Sequence, residues 1–118
     1  MAILMLNGKK FADAEICGTF FKKFLGLMFR TKLKNKCLFF MSGKESIVDS
    51  SIHMFFVFFP IDVAWLDKDF KVVDIRLNLK PFSLVASPKR PAKYIIEAKA
   101  GRLNSLRIGD LFELKRKI

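Results

Sequence analysis

The sequence predicts a mostly β fold of α+β type, a compact antiparallel β-barrel or sandwich-like sheet carrying two short helices. Short apolar runs recur along the chain, and turn signals such as Asn7-Gly8, Asp67-Lys68-Asp69 and Gly109-Asp110 separate them. Pro81, Pro88 and Pro91 disfavour helix in the second half. The 118 residues, 52% of them hydrophobic, suffice for one domain with a true core, so residues 1–118 are read as a single domain.

The elements follow in order. Ile3 to Leu6 and Phe11 to Ile16 flank Asn7-Gly8, whose residues accept the positive φ angles of a tight turn, so the chain opens on a β-hairpin. After Gly18, Thr19 can cap a helix in which Phe20, Phe21, Phe24, Leu25 and Met28 recur at helical spacing. Arg30 to Lys36 is a basic connector, Cys37 to Met41 a short buried strand, and Ser42 to Ser51 a loop with a brief strand. From Ile52 to Phe59 odd and even positions are both apolar, which predicts a central strand covered on two faces.

Beyond Pro60 the pattern becomes one-sided. Ile61, Val63 and Trp65 alternate with Asp62 and Ala64, and after the turn Val73, Ile75 and Leu77 alternate with Asp74 and Arg76, giving an amphipathic hairpin with a polar solvent face. An edge strand is expected around Phe82 to Val85 and another strand at Tyr94 to Ala98. The second short helix, a helical turn from Gly101 to Leu106, points Leu103 and Leu106 inward, and Leu111 to Leu114 forms the last strand.

Composition narrows the function classes. The 22 Lys and Arg against 11 Asp and Glu give a formal charge of +11, which attracts anionic metabolites, acidic proteins or nucleic acid. Sixteen of the cations are lysines, however, which suit a solvated surface better than bidentate phosphate reading. Fourteen phenylalanines against one Tyr and one Trp are core-type aromatics, and the basic stretches lack interleaved aromatics for stacking, so nucleic-acid association is only weakly supported. Cys17 and Cys37 form no C-x-x-C pair and no export signal is recognisable, so two reduced thiols and a cytoplasmic location are expected. The apolar stretch Ile52 to Leu66 is interrupted by His53, Pro60 and Asp62 and is shorter than the roughly 20 residues of a membrane span.

Four segments also occur together: Gly26-Leu27-Met28-Phe29-Arg30, the run from His53-Met54 through Pro60-Ile61-Asp62-Val63-Ala64-Trp65-Leu66-Asp67, Tyr94 to Gly101, and Ile108-Gly109-Asp110. In this order and spacing the chain resembles the prokaryotic family called domain of unknown function 192, also termed uncharacterised protein family 0127. The resemblance covers nearly the whole chain and implies a compact, strand-rich single domain; it implies no activity. Where the commoner bacterial pattern has Trp-Met-Lys-Asn-Thr, this chain has His53-Met54-Phe55-Phe56-Val57, and Lys99 replaces an Asn often found before the Ala-Gly pair.

The candidate site is drawn from these segments. Asp62 stands in an apolar run, where an ionised carboxylate costs several kcal/mol to desolvate unless it is paired or hydrogen-bonded. Arg30 is the expected partner. A structural Arg30–Asp62 pair, or an Asp62 side chain tying a turn after Pro60, stands ahead of a functional acid. Should the pair line a cleft, arginine holds an anionic group and Asp62 accepts a hydrogen bond from the ligand. His53, the sole histidine, is read first as a satisfied core or rim side chain, with general base and metal ligand as alternatives. Met28 and Met54 are read as core before ligand cage.

Cys17, Cys37 and His53 have zinc-ligand chemistry without close spacing, and a Cys37–His53 dyad needs spatial contact. No phosphate loop, dinucleotide fingerprint, nucleophile elbow or H-E-x-x-H motif occurs, and no cofactor is expected. The leading expectation is a cytoplasmic, non-enzymatic domain that accepts an anionic small molecule or acidic partner near Arg30, His53, Asp62, Met28 and Met54. Nucleic-acid association through the basic segments, and a hydrolase or isomerase using Asp62 with His53, are the alternatives.

Overall fold

Among the described residues the chain forms nine strands: β1 (Ala2–Leu6), β2 (Lys9–Cys17), β3 (Cys37–Ser46), β4 (Ile52–His53), β5 (Ile61–Leu66), β6 (Val72–Leu79), β7 (Val85–Ala86), β8 (Ala92–Lys99) and β9 (Phe112–Arg116). They belong to a computed structural model that describes residues 2–17, 37–47, 52–53, 59–80 and 85–116. Seven strands form one sheet in the order β6-β5-β8-β3-β2-β1-β9, and β4 pairs with β7 in a separate ladder. The pairs are antiparallel except β2 with β3, which run parallel.

The mostly β class holds, but closure into a barrel does not. Strands β6 and β9 are the two edges of the sheet. They meet at one end only, through the Lys71–Leu111 bridge and main-chain hydrogen bonds from Val72 N–H to Asp110 C=O (2.9 Å), Gly109 N–H to Val72 C=O (2.8 Å) and Phe112 N–H to Phe70 C=O (3.0 Å).

The two short helices are also not found among the described residues. The one expected from Thr19 lies outside them. Residues 100–105 form turns, held by Arg102 N–H to Lys99 C=O (3.0 Å), and Leu106 N–H bonds Leu103 C=O (3.1 Å). So short a stretch cannot offset the cost of helix nucleation, and Gly101 adopts φ 94°, outside helical space. The inward placement of Leu103 and Leu106 is nevertheless as the sequence implied, since both are buried.

The opening hairpin follows from two residues. Leu6 faces Lys9 across the turn, and Asn7 (φ 50°) and Gly8 (φ 87°) both occupy left-handed space, as a type I′ turn requires.

Among the described residues the strand covered on both faces is β5. Every residue from Ile61 to Leu66 is buried, because β6 and β8 flank the strand and both faces are covered. Ile61, Val63 and Trp65 pack with Leu38, Phe40 and Ile95 on one face. Ala64 and Leu66 join Leu4, Phe39, Ile96, Leu103 and Phe112 on the other. Ile52 and His53 instead pair with Ala86 and Val85, and residues 54–58 lie outside the described set.

Strand β6 keeps Val73 and Ile75 against the core but departs from the expected polarity at two positions. Asp74 is 4% exposed whereas Leu77 is 48% exposed. Two register shifts in the β5–β6 ladder break the simple alternation, and the segment at 87–89 packs against the strand: Lys89 N–H donates to Asp74 Oδ2 (2.9 Å) and Arg76 Nη2 to Ser87 C=O (3.5 Å).

Candidate functional site

Asp62 enters the protein interior on β5, pointing to the face that Ala64 and Leu66 share, and it is 1% exposed. Three backbone amides converge on its carboxylate. Asn78 N–H donates to Oδ1 (2.8 Å), while Gly101 N–H (2.9 Å) and Leu103 N–H (3.0 Å) donate to Oδ2. The local chain explains how this is possible. Asn78 takes φ 54° next to a register shift in β6, and Gly101 takes φ 94°, so both segments turn their N–H groups out of the ladder and toward the acid. Charge-assisted bonds of this kind stabilise an ionised carboxylate by about 1.5–3 kcal/mol each.

Asp62 thus ties together β5, the end of β6 and the turn that follows β8. At the far side of that turn Arg102 donates from Nη2 to Phe11 C=O on β2 (2.9 Å), with its guanidinium 5.2 Å from the Phe11 ring centroid. The segment carrying Leu103 and Leu106 is therefore fixed from three strands while its leucines fill the core beneath.

Among the described residues the partners of Asp62 are these three amides. Arg30, Met28 and Met54 lie outside the described residues. The backbone of His53 is in β4, whose ladder with β7 is separate from the sheet that holds Asp62. Of the five candidate residues, then, the structure fixes the surroundings of Asp62.

Asp74 is a second buried acid that the sequence reading assigned to solvent. It accepts from its own neighbour, Ile75 N–H to Oδ1 (2.8 Å), and from Lys89 N–H. The available signal was Pro88, which holds the backbone extended and lets the next N–H face β6. Glu97, on β8, is also buried.

Cys37 is fully buried, and desolvation pushes its thiol up to about 11, only partly opposed by the positive charge of Arg102. A thiol so placed stays protonated near neutral pH and is a poor nucleophile or metal ligand. Among the described residues there is no group of three His, Cys, Asp or Glu able to hold a metal ion, and no helix long and apolar enough to cross a membrane.

A curved, open, mixed sheet whose internal carboxylate anchors a turn defines the class of domain. Residues 2–114 match the model of the DUF192 family, described as an uncharacterized ACR, and the chain belongs to this family, whose function is not established. A UPF0127 protein of Thermococcus kodakarensis is 41% identical over 114 residues, covering 94% of this chain and 71% of the relative. A UPF0127 protein of Pyrococcus furiosus is 40% identical over 120 residues, covering 97% of this chain and 100% of the relative.

Two solved structures share the fold. A protein of unknown function from Novosphingobium aromaticivorans gives a TM-score of 0.83 at 20% identity, over 95% of this chain and 82% of the other. A Sinorhizobium meliloti protein described as a candidate transcription regulator gives 0.86 at 21% identity, over 96% and 92%.

Proposed function

We propose that this chain is a non-enzymatic binding domain for an anionic small molecule or an acidic partner, with Arg30, His53, Met28 and Met54 as ligand-facing candidates and Asp62 as an anchor of the fold. The observation that carries this reading is where the acids go. Asp62 and Asp74 are buried, and among the described residues their carboxylates accept from backbone N–H groups rather than from lysine or arginine side chains. With these two acids held in the interior, fewer carboxylates stand among the lysines and arginines at the surface of a chain whose formal charge is +11. A reducing, cytoplasmic setting belongs to the same proposal and suits the buried Cys37 thiol.

The test is titration of isotopically labelled protein with inorganic phosphate, citrate and heparin. Saturable shifts centred on Arg30 and His53, lost in Arg30→Ala, are expected. Shifts spread evenly over exposed lysines, or none at all, would refute a localised site.

A second reading, association with nucleic acid, is motivated by the charge and by the description of the Sinorhizobium protein, whose likeness carries fold alone. It requires gel retardation that weakens steeply with salt. The hydrolase or isomerase reading needs Asp62 as a base, and a carboxylate that is 1% exposed and holds three amides favours anchoring over proton transfer.

A further inference from the structure

The turn that follows β8 lies over the face of the sheet that carries Leu4, Ile96 and Phe112, and its buried positions are Leu103 and Leu106. The residues around these two leucines, Arg102, Asn104, Ser105 and Arg107, are exposed. Lys9 joins them from β2: it stands across from Leu6, on the side where Leu6 and Phe11 pack, and it is exposed as well. The neighbouring acids are turned away. Asp13 lies between Ala12 and Ala14, and Glu113 between Phe112 and Leu114, all four of them on the core side, so strand alternation directs both carboxylates to the opposite face. Asp62 is buried under backbone amides, and Asp110 Oδ2 accepts from Arg107 N–H (2.8 Å). Among the described residues no carboxylate pairs with the side chains of Lys9, Arg102 or Arg107.

We propose that this surface, Lys9 with the outer side of the turn from Arg102 to Arg107, binds the phosphate backbone of double-stranded nucleic acid without regard to base sequence. It builds on the nucleic-acid reading above and gives that reading a place on the fold. Three cations facing no acid attract a polyanion, and the +11 charge of the chain adds to the pull. Arginine supplies two of the three, against six of 22 in the whole chain, and its fork matches phosphate oxygens. Asn104 and Ser105, between the arginines, carry uncharged donors of the kind that complete phosphate contacts. Arg102 is already set: Nη2 donates to Phe11 C=O (2.9 Å) and the guanidinium lies 5.2 Å from the Phe11 ring centroid, so little side-chain freedom is lost on binding.

A duplex is the occupant because Lys9, Arg102, Asn104, Ser105 and Arg107 include no aromatic ring, and unpaired bases need rings to stack on. A lipid bilayer would meet only Ile108 and Leu111 as exposed aliphatics beyond the turn, where interfacial binding uses a whole apolar face.

The test is fluorescence anisotropy of a labelled duplex of about 20 base pairs and arbitrary sequence, titrated with the full chain from about 0.05 to 0.3 M salt. Binding at low salt that falls steeply as salt rises is expected. Lys9→Gln with Arg107→Gln should weaken it about tenfold and make the slope of log affinity against log salt shallower by about two. Lys89→Gln with Arg90→Gln, in the loop between Ala86 and Ala92 that packs on the other face, should cost about twofold at most, through net charge alone. All four positions are exposed, so circular dichroism should be unchanged. No binding at low salt overturns this surface together with the nucleic-acid reading, whereas equal losses in the two double variants overturn the surface and leave that reading standing. Displacement of the duplex by polyglutamate, or by phosphatidylglycerol vesicles, as readily as by unlabelled duplex overturns the choice of partner.

Discussion

The hairpin at Asn7-Gly8 and the anchor at Asp62 both turn the chain through positive φ angles, yet they are built on different scales. At the hairpin everything needed is local: two residues with left-handed φ, and strands that pair immediately on either side. At Asp62 the acid meets amides 16, 39 and 41 residues away, so it forms only once β5, β6 and the turn after β8 have assembled. A local turn sets register, whereas a long-range carboxylate checks that distant pieces have arrived. Loss of the first should loosen one hairpin, and loss of the second should undo the domain.

The largest effect is expected at Asp62→Ala, which strands three buried N–H donors. Each unsatisfied group costs about 1–3 kcal/mol, so denaturant unfolding should show a loss of at least about 3 kcal/mol. The amides of Asn78, Gly101 and Leu103 are expected to exchange slowly in the native protein and to lose protection together in the variant. Unchanged protection would show that the anchor is not what holds these segments.

Asp74→Ala removes one long-range bond and one to its own neighbour, so the same measurement should give about 1–2 kcal/mol. Gly8→Ala introduces a Cβ at φ 87° into otherwise open space, and its cost should be the conformational one alone, roughly 1–2 kcal/mol. A loss as large as that of Asp62→Ala would erase the contrast between local and long-range devices.

The last effect concerns pH and is absent near neutrality. The Cys37 thiol titrates higher in the folded chain, at about 11, than when unfolded. Between about pH 9 and pH 11 the unfolded state therefore gives up a proton that the folded state keeps. Stability should fall as pH rises through that window, and the Cys37→Ala variant should lose this component of the slope in pH-dependent unfolding.

Much of the fold is legible in the sequence wherever chemistry acts between neighbours. Asn-Gly announced the hairpin, and Asp67-Lys68-Asp69 announced a turn in which Asp67 Oδ1 accepts from Asp69 N–H (2.8 Å) and Lys71 N–H (3.0 Å). Strand β8 and the inward Leu103 and Leu106 were likewise readable. The misreadings share one cause.

Whether Ile61–Leu66 has one covered face or two depends on which segments lie over it, and alternation within the strand cannot report that. The same holds for Asp74, buried by a segment that follows it by more than ten residues. Of the candidate site, the prominence of Asp62 was legible because an acid in apolar surroundings needs compensation. Its partners were not, since a backbone N–H belongs to every residue except proline and leaves no mark on composition.

Trp65 is the sole indole of the chain, and it is completely enclosed in the core on the face of β5 opposite Asp62. Its emission should be blue-shifted and poorly quenched by iodide in the native state, and should move to the red only as that packing opens. The molecule thus carries an optical probe of its own integrity, one that senses the Asp62 anchor through the thickness of a single strand.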